Sequence, residues 1–254
     1  MTNAAPSAKG PAGVWSLANP TRFMQLSSAL LPWFWAAALG LLAYGLYKGL
    51  FVAPEDYLQG HSFRIMYIHV PSAWLAMGVY SMMSISALGT LVWRHPLADV
   101  AQKSAAPIGA AFTALCLLTG SLWGKPAWGT WWEWDARMTS VLVLLLVYLG
   151  VIALWRAIDE PNRAARAVAI MTLVGAVNLP IIKFSVDWWN TLHQPASVLR
   201  KGGPTIHPDM LWPLLAMGLG FGLLFGALLM VRMQAEVLNR RADRLALARA
   251  NQEG

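Results

Sequence analysis

Six stretches of this chain stay apolar for about 20 residues each, the length a helix needs to cross a hydrocarbon core about 30 Å thick. They run from Trp33 to Val52, Ser72 to Trp93, Ala106 to Leu122, Ala136 to Trp155, Ala167 to Phe184 and Asp209 to Val231. Inside a bilayer the backbone must satisfy its own N–H and C=O groups, which runs of this length do as helices. The 254 residues are therefore expected to form an all-α polytopic membrane protein, six transmembrane helices in one compact bundle. Composition agrees, with 57% hydrophobic and 12% charged residues where soluble domains carry about a quarter charged.

A formal net charge of +7 raises the question of nucleic acid, but the Lys and Arg residues are scattered among connections and ends. Membrane topology accounts for them. Six crossings return the chain to its starting side. The amino end, the 94–103 and 156–166 linkers and the tail hold twelve Lys and Arg, against seven on the other side (Lys48, Arg64, Lys125, Arg137, Lys183, Arg200 and Lys201). The positive-inside rule then makes both termini cytoplasmic. Residues 1–28 read as a cytoplasmic segment without the apolar core of a cleavable signal. Residues 29–232 form the spanning domain, with Pro32 opening its first helix, and 233–254 form a basic amphipathic tail with Arg240, Arg241, Arg244 and Arg249. Gly218, Gly220, Gly222 and Gly226 in the last span predict close helix contact. Cys116, the one cysteine, lies inside an apolar run, so this chain has no disulfide and no Cys-x-x-Cys pair.

On the outer face the topology places a segment unlike the rest, residues 123–139, with five of the fourteen tryptophans between two apolar runs. Taken as a surface helix, it puts Trp128, Trp131, Trp132 and Asp135 at i, i+3, i+4 and i+7 on one face, with Glu133 and Trp134 elsewhere. Arg137 points away unless the chain bends at Asp135. Such a face is either an interfacial anchor, since tryptophan collects where membrane meets water, or a platform for a flat apolar ligand. Periodicity does not choose between lipid and ligand. Asp135 also suits the N-cap of the fourth span.

The histidines favour the ligand. His69 precedes the second span and His193 lies between the fifth and sixth, each beside a helix end on the same outer face as the tryptophans. Two neutral imidazoles on one face can ligate one metal from opposite sides. Two histidines without a thiolate do not close a zinc site, whereas iron in a porphyrin brings four nitrogens of its own. His61 and His207 share that face but lack aromatic neighbours, and His95 is alone inside. Arg64 and Arg137 are candidates for the propionates of such a ring, since a guanidinium grips a carboxylate bidentately; Lys183, Arg200 and Lys201 are weaker ones. There is no Gly-x-x-x-x-Gly-Lys-Ser/Thr loop for ATP, and no Cys-x-x-Cys-His for thioether-linked haem.

The run Trp128-Gly129-Thr130-Trp131-Trp132-Glu133-Trp134-Asp135-Ala136-Arg137-Met138-Thr139-Ser140 resembles the signature of the tryptophan-rich (WWD) membrane proteins of cytochrome c maturation. With six spans and an outer histidine before the second and the sixth, the chain from about Arg22 to Arg232 looks like the haem exporter protein C (CcmC-type) family. The resemblance implies a non-covalent haem b site at the outer surface of the bacterial inner membrane. His69 and His193 match the axial ligands; Trp128, Trp131, Trp132, Trp134 and Asp135 match the platform; Arg64 and Arg137 match basic positions of haem or chaperone contact. It also implies partners: the ATPase and membrane subunits of an ABC transporter, a small single-span subunit, and a membrane-anchored haem chaperone that receives the haem covalently.

Two other classes of function compete. A haem b electron-transfer protein needs ligand histidines within helices and a second haem toward the other face. A secondary transporter with an aromatic gate needs broken helices and ionisable groups at mid-membrane, for which Asn178, Pro180 and Lys183 in the fifth span are the only hint.

Overall fold

The computed structural model describes residues 19–194, 197–198 and 200–253. Residues 1–18 of the expected cytoplasmic segment lie outside the described residues. Those described contain six helical segments long and apolar enough to span a membrane, and no strand.

The first helix, α1 (Pro20–Tyr47), begins well before the expected Trp33. Its start is set by local chemistry: the Asn19 side chain accepts the Thr21 N–H at 2.8 Å, and Pro20 occupies the first turn, where no backbone donor is needed. Pro32, expected to open the helix, lies inside it. A π-helical turn, Lys48–Val52, carries α1 onward, and its Gly49 lets the backbone lie flat on the Tyr67 ring, since a Cβ there would sit 2.6 Å from that ring.

A 3-10 turn, His61–Ile65, leads into α2 (Met66–Val92). Pro71, just before the expected start at Ser72, likewise lies inside the helix. His69 therefore belongs to α2 and not to a polar connection before it, a correction that fixes its ring to a rigid element. The third helix, α3 (Ala98–Trp128), ends where Gly129 adopts φ 79° and its N–H closes onto the Lys125 carbonyl at 3.1 Å. This left-handed glycine stop breaks the expected tryptophan helix in two. Residues 130–134 are non-helical, and the face made by Trp128, Trp131, Trp132 and Asp135 does not exist as a helical stripe.

Asp135 then caps α4 (Ala136–Ala157) as expected, accepting the Met138 N–H at 2.7 Å. The fifth span is two helices, α5 (Pro161–Gly175) and α6 (Asn178–Trp188). They meet at a turn beside which Tyr80 donates to the Thr172 carbonyl at 3.0 Å and Asn178 to the Ser140 carbonyl at 2.8 Å. Helix α7 (Pro208–Glu253) joins the sixth span to the basic tail without a break, about 69 Å at 1.5 Å per residue.

Helix α1 lies along α7, and α3 along both α2 and α4. The core comprises Val79, Tyr80, Met83, Leu144, Tyr148 and Val151, with the Tyr148 hydroxyl donating to the Ala76 carbonyl at 2.9 Å. The glycines of α7 mark close approach as expected at three contacts: Gly226 backs onto Phe34, Gly218 onto Trp74 and Gly220 onto Leu42, while Gly222 faces open space. At the end of the bundle away from the tryptophans, Arg240 bridges Asp99 (2.7 Å) and Glu236 (2.8 Å), and Lys103 reaches Glu236 (2.9 Å). These pairs tie the extension of α7 to α3.

Candidate functional site

Asp135, His193 and Thr191 form one hydrogen-bonded unit. His193 Nδ1 lies 2.8 Å from Asp135 Oδ2, and the Thr191 hydroxyl donates to the same oxygen while accepting the His193 backbone N–H at 3.2 Å. Burial raises the pKa of the Asp135 carboxyl, but hydrogen bonds from Thr191, from the Met138 N–H and from His193 hold it below the ordinary carboxylate value. Burial pulls His193 below its ordinary value, against the attraction of Asp135 and with the repulsion of Arg137. At neutral pH the pair is thus a carboxylate and a neutral imidazole. The carboxylate only accepts, so Nδ1 carries the proton and Nε2 keeps its lone pair.

His69 reaches the same state by other means. Its Nδ1 lies 3.0 Å from the Cys116 carbonyl and 3.1 Å from Thr119 Oγ1 on α3. The carbonyl has no proton to give, and the Thr119 hydroxyl donates to the Leu115 carbonyl at 2.6 Å. Nδ1–H is therefore the donor and Nε2 is again free. Gly120 leaves room for the ring, since a Cβ there would stand 3.0 Å from His69 Cε1. Both rings lie against the C-terminal part of α3, His69 on Trp123 and His193 on Trp128.

Of the tryptophans, Trp128 and Trp123 meet the histidines. The Trp128 ring is edge-on to His193 at 4.7 Å, and Trp123 is edge-on to His69 at 5.7 Å, with its indole N–H donating to Gln59 Oε1 at 2.7 Å. Trp132 packs against Trp134 at 5.3 Å and has a buried indole N–H without a partner. Trp131, under the Lys125 ammonium, and Trp134 are 55% and 73% exposed. The platform expected of Trp128, Trp131, Trp132 and Trp134 is thus divided, one ring on a histidine and three around the exposed turn.

The two arginines are also separated. Arg137 donates from Nε to Ser185 Oγ at 3.1 Å and sits among the charges of Asp135 and Asp187, because the chain does bend at Asp135. Arg64 donates to the Ala53 carbonyl at 3.1 Å, lies over Phe63, and keeps a buried Nε without a partner. His61 pairs with Glu55 at 2.7 Å and His207 approaches Asp209 at 3.7 Å, both exposed and apart from this cluster. Lys183 is exposed.

Among the described residues no group of three or more His, Cys, Asp and Glu side chains can hold a bare metal ion. Two lone pairs without further donors suit a metal that brings its own equatorial ligands, and the unpaired Trp132 and Arg64 N–H groups suit an acceptor-bearing guest. Residues 13–248 match the family described as Heme exporter protein C. The chain belongs to that family. It is 64% identical to the protein named Heme exporter protein C of Bradyrhizobium diazoefficiens over 235 residues, 92% of this chain and 89% of that one. It is 49% identical over 222 residues to the protein of that name from Escherichia coli K12 (87% and 89%), and 44% over 239 residues to that of Paracoccus denitrificans (94% and 98%).

Around the candidate site of this haem exporter protein C family member lie residues that the sequence pattern passed over. Thr119 and the Cys116 carbonyl behind His69 carried no signal, because nothing local joins α2 to α3. Thr191, two residues before a histidine in a polar loop, is where a hydroxyl turn forms. Gln59 and Ser185 became visible only through their partners.

Proposed function

We propose that the chain holds haem b non-covalently between His69 and His193 and presents it to a membrane-anchored haem chaperone during c-type cytochrome biogenesis. The observation that carries this reading is that each imidazole has its Nδ1–H engaged by an acceptor of the chain, leaving both Nε2 lone pairs free. A bound haem supplies the iron that both imidazoles ligate. The chain's residues orient and cover it: Asp135 and the Cys116 carbonyl set the two rings, Trp123 and Trp128 flank them, and Arg137 offers charge for a propionate.

The excess of Lys and Arg on the opposite side supports placing this site at the periplasmic face of the bacterial inner membrane, with cytoplasmic termini. The exposed Trp131 and Trp134 leave one side open to a partner. A carrier that must surrender its cargo benefits from that. No ATPase loop occurs here, so work from ATP enters through the subunits of an ABC-type complex, with a small single-span subunit alongside.

The electron-transfer reading loses ground because His95 is the one histidine near the opposite end. The transporter reading gains the break between α5 and α6 but loses Lys183, which faces outward. The test is an absorption spectrum of the purified protein. A low-spin two-histidine haem spectrum is expected, lost in His69→Ala and in His193→Ala; an unchanged spectrum in both variants overturns the ligand assignment.

A further inference from the structure

We propose that the two histidines are unequal ligands: Asp135, positioned by Thr191, makes His193 the retaining ligand, and His69 lets go first when the cargo leaves. The proposal rests on the haem-holding reading above and adds an order of release to it.

The difference lies in what stands behind each ring. His193 Nδ1–H donates to an ionised carboxylate at 2.8 Å. Such a charge-assisted bond is about twice as strong as one between neutral groups, and it draws the ring toward imidazolate, which raises the basicity of Nε2 and its hold on a metal. His69 Nδ1–H is shared between two neutral oxygens, at 3.0 and 3.1 Å. It receives the weaker push.

Asp135 is held for this task on both oxygens. Oδ1 accepts the Met138 N–H, which fixes the carboxylate to the first turn of α4, and Oδ2 accepts Thr191 together with His193. Thr191 also accepts the His193 backbone N–H, so one hydroxyl orients both members of the pair. It is a positioning residue.

The ferrous haem protein, exposed to carbon monoxide, tests this. The gas replaces one axial imidazole, and the iron–carbon stretch in the resonance Raman spectrum reports the imidazole that stays. Asp135→Asn keeps the α4 cap, since asparagine caps as well as aspartate. It is expected to shift that stretch and to lower haem affinity by about 10–100-fold. Thr191→Val is expected to shift the stretch in the same direction by less, with Thr191→Ser restoring it, and Thr119→Val to leave it unchanged. A stretch that responds to Thr119→Val and not to Asp135→Asn, or to neither, overturns the order of release. Failure of the underlying reading looks different: the wild-type protein then lacks a two-imidazole spectrum before any gas is added.

Discussion

Asp135 and His193, 58 residues apart in the chain, meet at 2.8 Å and join the amino end of α4 to the connection between α6 and α7. One carboxylate does two jobs. It closes the first turn of a spanning helix through Met138 and fixes which nitrogen of His193 is free.

The two jobs are separable by mutation. Asp135→Ala removes the cap, at a cost of about 1 kcal/mol, and frees His193 as well, so both thermal stability and haem retention are expected to fall. Asp135→Asn is expected to lower haem retention with little change in melting temperature. Melting curves of apo protein in detergent, read beside haem titrations, distinguish the two.

Acid is expected to release the cargo. Burial depresses the pKa of His193 in the folded protein below the ordinary imidazole value of 6.5, so above that value the ring is neutral in both folded and unfolded states and its contribution to stability is fully present. As the pH falls below 6.5 the unfolded chain takes up its proton first and stability drops, until the folded-state value is passed. Asp135, held below its ordinary value, stays ionised through this window. A spectrophotometric titration should therefore show the two-histidine spectrum fading in acid below 6.5, and melting curves of the apo protein that do not weaken as the pH falls below 6.5 contradict the burial of His193.

The exposed turn is expected to serve delivery more than folding. Trp131→Ala combined with Trp132→Ala removes one exposed indole and one half-buried partner of Trp134, neither packed on a histidine. The protein should stay in the membrane fraction while haem transfer to the chaperone falls. The check is covalent haem on the chaperone, normalised to the amount of this protein. Undiminished transfer makes the turn an interfacial anchor only.

Helix contact at Gly226 is expected to be sensitive to a single methyl. A Cβ there would stand 2.7 Å from the Phe34 ring, and overpacking of this kind costs about 1–3 kcal/mol. Gly226→Ala should lower the melting temperature, whereas Gly222→Ala, facing open space, should not.

The sequence by itself determined the class of fold, because lipid demands long apolar helices and those are read from composition in a window. It also determined the Asp135 cap, the family, and the pair of histidines worth attention. Its errors were local conflicts. Hydropathy overrode the Asn19-Pro20 helix start, and a run of tryptophans at helical spacing overrode Gly129, whose left-handed turn ended α3. Only the tertiary structure decided what stands behind each histidine: Asp135 and Thr191 for one, Cys116 and Thr119 for the other. The Asp135 and Cys116–Thr119 contacts join residues 47 to 58 positions apart on separate elements, which no periodicity along one element can register, and they set the protonation of both rings.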